Sequence, residues 1–348
     1  MTFFGIGFRR KHKGTILDTI YPNIKSNKDD LTQLKLALNI SQNGIIELTQ
    51  DQFKTARELL FLDLPIEGVQ TNKNDYYNVD AILFILDDVQ ADIHSTEDAY
   101  FRLQLLSHRL VKPHGQNLNG IFGQLPNIAW TNKGPVLPDD LSHFKTSQLL
   151  KGNDVVVTHV DKFPYMVNYH VPSGVRIADA SRVRLGAYLG EGTTIMPAGF
   201  VNFNAGTMGN AMVEGRISAG VIVDTDSDIG GGASIMGTLS GGNNHVISVG
   251  KKCLLGANSG IGISLGDGCT VAAGAYVTAG KKVSLFNESN QPVDLNNNLV
   301  NVGENIVKAA ELSGSSFKLF IEDSQTGELL CKPNTKVIQL NEALHLNT

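Results

Sequence analysis

Between residues 175 and 283 an aliphatic side chain recurs at every sixth position. Ile177, Val183, Leu189, Ile195 and Val201 open the series, and Ile217, Val223, Ile229 and Ile235 resume it. Val249, Leu255 and Ile261 follow, then Leu265, Val271, Val277 and Val283. The intervals hold mostly glycine, alanine and small polar residues. A period of six fits neither the 3.6 of a helix nor the 2 of a strand. It marks a hexapeptide β-solenoid, in which each short strand ends at a corner and turns one aliphatic inward. Small residues suit the corners, where a bulky Cβ would meet the neighbouring circuit.

Two gaps break the phase: "NFNAGTMGNAMVEGR" after Val201 and "MGTLSGGNNHVIS" after Ile235. Insertions leave such a coil as loops on one face, so both are predicted as extruded loops. The flanks follow other rules. Residues 1–165 read as a mixed α/β domain. Asp51–Leu62 suits an amphipathic helix, and Ala81–Leu86 ("AILFIL") suits a core strand. Ser95 with Asp98 resembles a capping box, followed by Ala99, Leu103, Leu106 and Leu110 at helical spacing. Residues 166–285 form the solenoid domain. Residues 286–348 form a small C-terminal extension, with a short helix in "ENIVKAAELSG" and a strand plus helical turn in "KVIQLNEALH".

Composition narrows the function classes. The 348 residues are 42% hydrophobic and 18% charged, as in a globular chain of two or three domains. A net charge of −5 gives no electrostatic reason to expect nucleic acid or an anionic membrane as partner. The one basic run, Arg9–Lys13, reads as a solvated arm. The apolar "TFFGIGF" precedes those basic residues, the reverse of a secretory signal, and no apolar run approaches a membrane span. Cys253, Cys269 and Cys331 have neither metal-like spacing nor the even number of a disulfide framework. A soluble cytoplasmic protein with reduced thiols is expected.

Glu214 and Arg216 are the only charges between Gly192 and Val223. A carboxylate in a glycine-rich setting suits base work or nucleophilic attack. An Arg two residues along a strand would project to the same side and hold an anionic group with its planar fork. An ion pair between subunits is the structural alternative. His245, the only histidine between residues 175 and 283, is a rival base or an exposed side chain, and a lone histidine argues against a three-histidine zinc site. "DTDSDIGGGASI" fails as a calcium loop, because Ile229 and Ile235 stand where Gly and Glu are required. "SGG" at Ser240–Gly242 is a weak phosphate-cradle signal. Trp130 and His114, in a Pro- and Gly-rich stretch, suit packing against the following domain.

"GFVNFNAGTMGNAMVEGRISAGVIV", "SDIGGGASIMGTLSGGNN", "VISVGKKCLLGANSGIGISLGDGC" and the upstream "LVKPHGQNLNGIFGQLPNIAWTNKGPV" carry a family resemblance. The chain resembles the tetrahydrodipicolinate N-succinyltransferases, in their longer form with a large N-terminal domain. That resemblance implies a left-handed parallel β-helix and a homotrimer with active sites between subunits. It implies succinyl transfer from succinyl-CoA to the amine of ring-opened tetrahydrodipicolinate, in diaminopimelate and lysine biosynthesis. Glu214 falls on the family's catalytic carboxylate, as nucleophile or as general base. Donor contacts fall on Arg216, Gly231, Ser234, Ala257, Ala272, Ala273, Gly280, Lys308 and Ser324.

Three departures are visible. Ala272 replaces a common Glu. Ser181 and Ala198 replace acidic residues that hold magnesium in some members, so no metal is expected. Ile321 and Glu322 replace two arginines suited to the donor's phosphates, leaving Lys308, Lys318 or Lys332 as substitutes. Two other readings remain open: a different acyl-CoA transferase using His245, and a non-catalytic solenoid scaffold.

Overall fold

The run Ala81–Leu86 is buried at every position and ends a strand that anchors the N-terminal sheet. The computed structural model describes residues 1–64, 76–239 and 245–335. Two compact units divide the chain. The first comprises Met1–Leu105, Gly115–Pro164 and Asn168–His170; the second comprises Leu106–His114, Tyr165–Val167 and Val171–Thr348.

The first unit begins β1 (Phe3–His12), β2 (Thr15–Lys25), α1 (Lys28–Leu38), β3 (Gly44–Glu47), α2 (Gln50–Leu59), β4 (Asn78–Leu86), α3 (Thr96–Ser107). These four strands form an antiparallel sheet in the order β2-β1-β4-β3. Leu34 and Leu38 of α1 and Phe53 and Ala56 of α2 pack with Phe4, Ile6, Leu83 and Ile85 of the sheet. The expected helix at Asp51 is α2, opened by a capping box of Thr49 and Gln52. At α3 the Asp98 N–H donates to Ser95 Oγ at 3.1 Å, as the sequence signalled. Ala99, Leu103 and Leu106 are buried, while Leu110 lies past the helix end and is 41% exposed.

The basic run is not a solvated arm. Arg9 and Arg10 lie within β1. Arg9 is paired with Glu47, Asp80 and Glu97. Arg10 Nε donates to Oδ1 of the fully buried Asp18 at 2.6 Å, and the Tyr169 hydroxyl donates to the same carboxylate. Burial opposes the Arg10 charge, but Asp18 more than offsets it and raises the guanidinium pKa. Burial first, then the Asp18 charge, pushes the Tyr169 hydroxyl up, so it stays a proton donor. Sequence reading missed this because the acidic partners are scattered along the chain.

In the second unit the six-residue period becomes three parallel sheets visited in rotation. The first sheet stacks Tyr188–Leu189, Gly206–Thr207, Ile222–Val223 and Ser248–Val249. The second includes Thr193–Ile195, Ala211–Val213, Ser227–Ile229, Leu254–Leu255 and Thr270–Val271. The third stacks Phe200–Val201, Arg216–Ile217, Ser234–Ile235, Gly260–Ile261 and Tyr276–Val277. Each strand bonds to the strand one circuit later. The periodic aliphatics from Val183 to Val283 are at most 3% exposed and share one core.

One predicted loop is not a loop. The stretch after Val201 holds two further strands, Gly206–Thr207 and Ala211–Val213, and completes a circuit of the coil. The period continues through Thr207, which is fully buried. Its hydroxyl lies 2.7 Å from that of Thr193, which also donates to Gly209 O at 2.9 Å. A search for aliphatics stops at this satisfied threonine. In the second gap Thr238 and Val246 pair antiparallel, and the residues 240–244 between them lie outside the described residues. Ser240–Gly242 lies outside the described residues.

At the C-terminal end, Lys282–Leu285 pairs antiparallel with Ile306–Lys308. The helix expected in "ENIVKAAELSG" is therefore a strand followed by one 3-10 turn, Ala309–Leu312. The strand prevails because Val307 stands opposite the buried Val283. Lys318–Glu322 stacks in parallel on Thr270–Val271 and antiparallel on Leu329–Pro333. The "KVIQLNEALH" expectation falls wholly outside the described residues.

Candidate active site

The corners joining the second sheet to the third form one column along the coil. Glu214–Gly215, Gly230–Ala233, Gly256–Ser259 and Ala272–Ala275 occupy successive levels of it. Strand register thus gathers Glu214, Gly231, Ala257, Ala272 and Ala273, which span 60 residues of sequence from 214 to 273. Arg216 and Ser234 begin the strands that leave two of these corners.

Glu214 sits in the tightest of these turns. The strand ending at Val213 and the strand starting at Arg216 leave only Glu214 and Gly215 to make the corner. The Glu214 N–H donates to Ile229 O at 2.8 Å, tying it to the next circuit. Gly215 has no room for a side chain: an ideal Cβ would lie 2.4 Å from Ala233 O. Gly231 differs, because its missing side chain faces the Glu214 carboxylate. A Cβ there would lie 3.4 Å from Glu214 Oε2. That carboxylate is half-buried and has no hydrogen bond or ion pair among the described residues.

Arg216 does not share a strand with Glu214, as its spacing suggested; the corner falls between them. Its side chain is exposed, and Nη2 donates to Ser234 Oγ at 2.6 Å on the neighbouring strand. Farther along, the Ala272 N–H is taken by Phe320 O at 2.8 Å. The N–H groups of Gly231, Ala257 and Ala273, at equivalent places in three corners, find no partner among the described residues. They form a row of backbone donors running away from Glu214.

The remaining expected donor contacts lie beyond that row. Gly280 is exposed with open space around it. Lys308 is exposed on the strand opposite Lys282, and Ser324 is exposed beyond the strand ending at Glu322. Glu322 is not idle: Lys281 Nζ donates to its Oε1 at 2.7 Å. Lys281 was missed because the pair is 41 positions apart and met only through strand register.

His245 is exposed in the second gap, between the third sheet and the first, and its carbonyl accepts from Leu239 N–H at 2.9 Å. It stands on a different corner of the coil from Glu214. His114 also belongs to that other corner. Its N–H donates to Asn204 Oδ1 at 3.0 Å, and its Nε2 donates to Gly220 O at 2.7 Å. The Trp130 indole N–H donates to Asp161 O at 3.0 Å within the N-terminal unit. The rejected calcium-loop stretch supplies strand Ser227–Ile229 and the Gly230–Ala233 corner.

Residues 246–279 match the hexapeptide repeat of succinyl-transferases, and residues 125–165 match the middle region of tetrahydrodipicolinate N-succinyltransferases. A 2,3,4,5-tetrahydropyridine-2,6-dicarboxylate N-succinyltransferase of Pseudomonas aeruginosa is 58% identical over 251 residues, 72% of this chain and 70% of the relative. Its namesake from Vibrio cholerae is 56% identical over 253 residues, 73% of this chain and 71% of the relative. A solved structure from Campylobacter jejuni, provisionally named a 2,3,4,5-tetrahydropyridine-2-carboxylate N-succinyltransferase, superposes with a TM-score of 0.78. It is 35% identical and covers 97% of this chain and 93% of its own. Identity this high over more than two thirds of such relatives settles the descent of the corner column and the coil that carries it: the chain belongs to the tetrahydrodipicolinate N-succinyltransferase family.

Proposed function

We propose that this chain transfers the succinyl group of succinyl-CoA to the amine of ring-opened tetrahydrodipicolinate, with Glu214 as the catalytic carboxylate. The reaction serves diaminopimelate and lysine biosynthesis in the cytoplasm. The observation that carries the residue assignment is the unpartnered Glu214 carboxylate facing Gly231, at the head of a row of unpaired backbone N–H groups. Pantetheine carries two amide carbonyls, and the Gly231, Ala257 and Ala273 N–H groups can receive them. Arg216, held by Ser234, is placed for the succinyl carboxylate. In our reading the three sheets form a left-handed parallel β-helix, and three copies assemble with the active sites in the clefts between them.

In the transfer the amine nitrogen is acylated at the succinyl carbonyl carbon, attacking either the thioester directly or a Glu214 anhydride formed from it. A C–N bond forms, the C–S bond breaks, and the proton lost by the amine ends on the departing CoA thiolate. Glu214 acts in one of two ways: it relays that proton, or it first accepts the succinyl group as a mixed anhydride. Ping-pong kinetics with a burst of CoA release would identify the anhydride.

Glu214→Gln tests the assignment. It keeps the shape of the corner and removes the charge. We expect a loss of about 10²- to 10⁴-fold in kcat with an unchanged oligomer by light scattering. Turnover near that of the unaltered protein would remove Glu214 from the chemistry. His245→Ala, assayed in parallel, is expected to keep its activity, since His245 stands on another corner.

A further inference from the structure

The far end of the column collects like charges. Lys282 and Lys308 face each other directly across an antiparallel ladder, on the side opposite the inward pair Val283 and Val307. Like charges placed this way repel. Neither lysine has an ion-pair partner among the described residues, although Glu311 Oε1 accepts from the Lys308 backbone N–H at 2.8 Å. Lys281 is next in sequence, and its carbonyl accepts from Ala309 N–H at 2.9 Å, so three ammonium groups spring from one small patch. Only Lys281 is neutralised, by Glu322 at 2.7 Å, with the two side chains 31% and 40% exposed.

The Lys281–Glu322 contact lies at a definite distance from Glu214, and the strand bearing Lys282 is two pairings farther, past Leu329–Pro333. The register Val213, Ile229, Leu255, Val271, Phe320 counts four steps from the Glu214 corner to the strand bearing Glu322. At the inter-strand spacing of about 4.8 Å this is about 19 Å. An extended pantetheine arm whose thioester lies at Glu214 brings the donor's phosphates to about this level.

We infer that Lys281 and Lys282 bind the phosphate groups of the donor's nucleotide, and that Glu322 restrains Lys281 and so holds donor affinity down. The inference rests on the succinyl-CoA reading above and deepens it. An anionic phosphate relieves the repulsion between Lys282 and Lys308 and competes with Glu322 for Lys281. Exposed ion pairs are worth little individually, so donor binding shifts the contact without unfolding the strand.

Steady-state kinetics on the full chain test this. Glu322→Gln is expected to lower KM for succinyl-CoA about two- to fivefold at unchanged kcat. Lys281→Ala and Lys282→Ala are expected to raise it by at least as much. Succinyl-pantetheine, which lacks the nucleotide, should show no such dependence on any of the three. 3′-Dephospho-CoA thioester separates the 3′-phosphate from the pyrophosphate as the group bound. An unchanged KM in Glu322→Gln, or an equal shift with succinyl-pantetheine, would overturn the inference while leaving wild-type turnover intact. Absence of any succinyl transfer by the unaltered protein would instead overturn the underlying reading, and the inference with it.

Discussion

In the N-terminal unit Arg10, Asp18 and Tyr169 are bonded together inside the protein, and Arg102 is buried against Asp98. The coil's interior, among the described residues, holds no charged side chain; its buried polar groups are Thr193, Thr207 and similar small residues. The difference follows from repetition. A buried charge needs a partner in a unique place, and a sheet hairpin with flanking helices can provide one. A coil that repeats the same circuit offers only the equivalent position above or below, which suits a hydroxyl pair or an aliphatic. A charge in the coil is therefore pushed to the surface, and one that stays half-buried without a partner, as Glu214 does, is conspicuous.

Catalysis gives the largest expected effect: the Glu214→Gln loss removes a charge the coil does not need for folding, so its melting temperature should barely change. By contrast, Asp18→Ala leaves the buried Arg10 without its partner and should destabilise the N-terminal unit by about 3–5 kcal/mol. Thermal unfolding followed by hydrogen exchange would show the loss confined to that unit; equal loss of protection in the coil would break the contrast. Gly256→Ala probes the other side. Its Cβ would lie 2.5 Å from Ala273 N, so the circuits must separate, at a cost of about 1–3 kcal/mol in denaturant unfolding. Smallest of all is Thr207→Val, which places an aliphatic at an inward position where the coil has a threonine. Thr193 still donates to Gly209 O, so the change should stay within about 1 kcal/mol. A larger loss would mean that the threonine pair is a requirement of the coil.

The coil was legible because every inward position demands the same kind of residue, and Ile217 to Val283 announce it in one dimension. Thr207 concealed a full circuit, since a buried hydroxyl with a partner one level away looks, in sequence, like a break in the core. Glu214 and Arg216 stood out by charge contrast alone. The rest of the column did not: Ala257 and Ala273 are ordinary residues whose place emerges only when strands 16 to 26 positions apart are stacked, as Leu255 on Ile229 and Val271 on Leu255. The Arg9–Arg10 misreading has the same origin. Local sequence shows a basic run, and only the strand pairing of β1 with β2 and β4 supplies its carboxylates.

The column also has a consequence for how such an enzyme can change. On the function proposed, the separation between Glu214 and the Lys281–Glu322 contact is counted in strand spacings, so it works as a molecular ruler graduated in steps of about 4.8 Å. Substitutions can alter how firmly a carrier is gripped at either end, but not the length of carrier that fits. Adapting to a shorter or longer thiol carrier requires gaining or losing an entire circuit, an all-or-none event in the gene. On that reading the length of the donor is written into the number of turns.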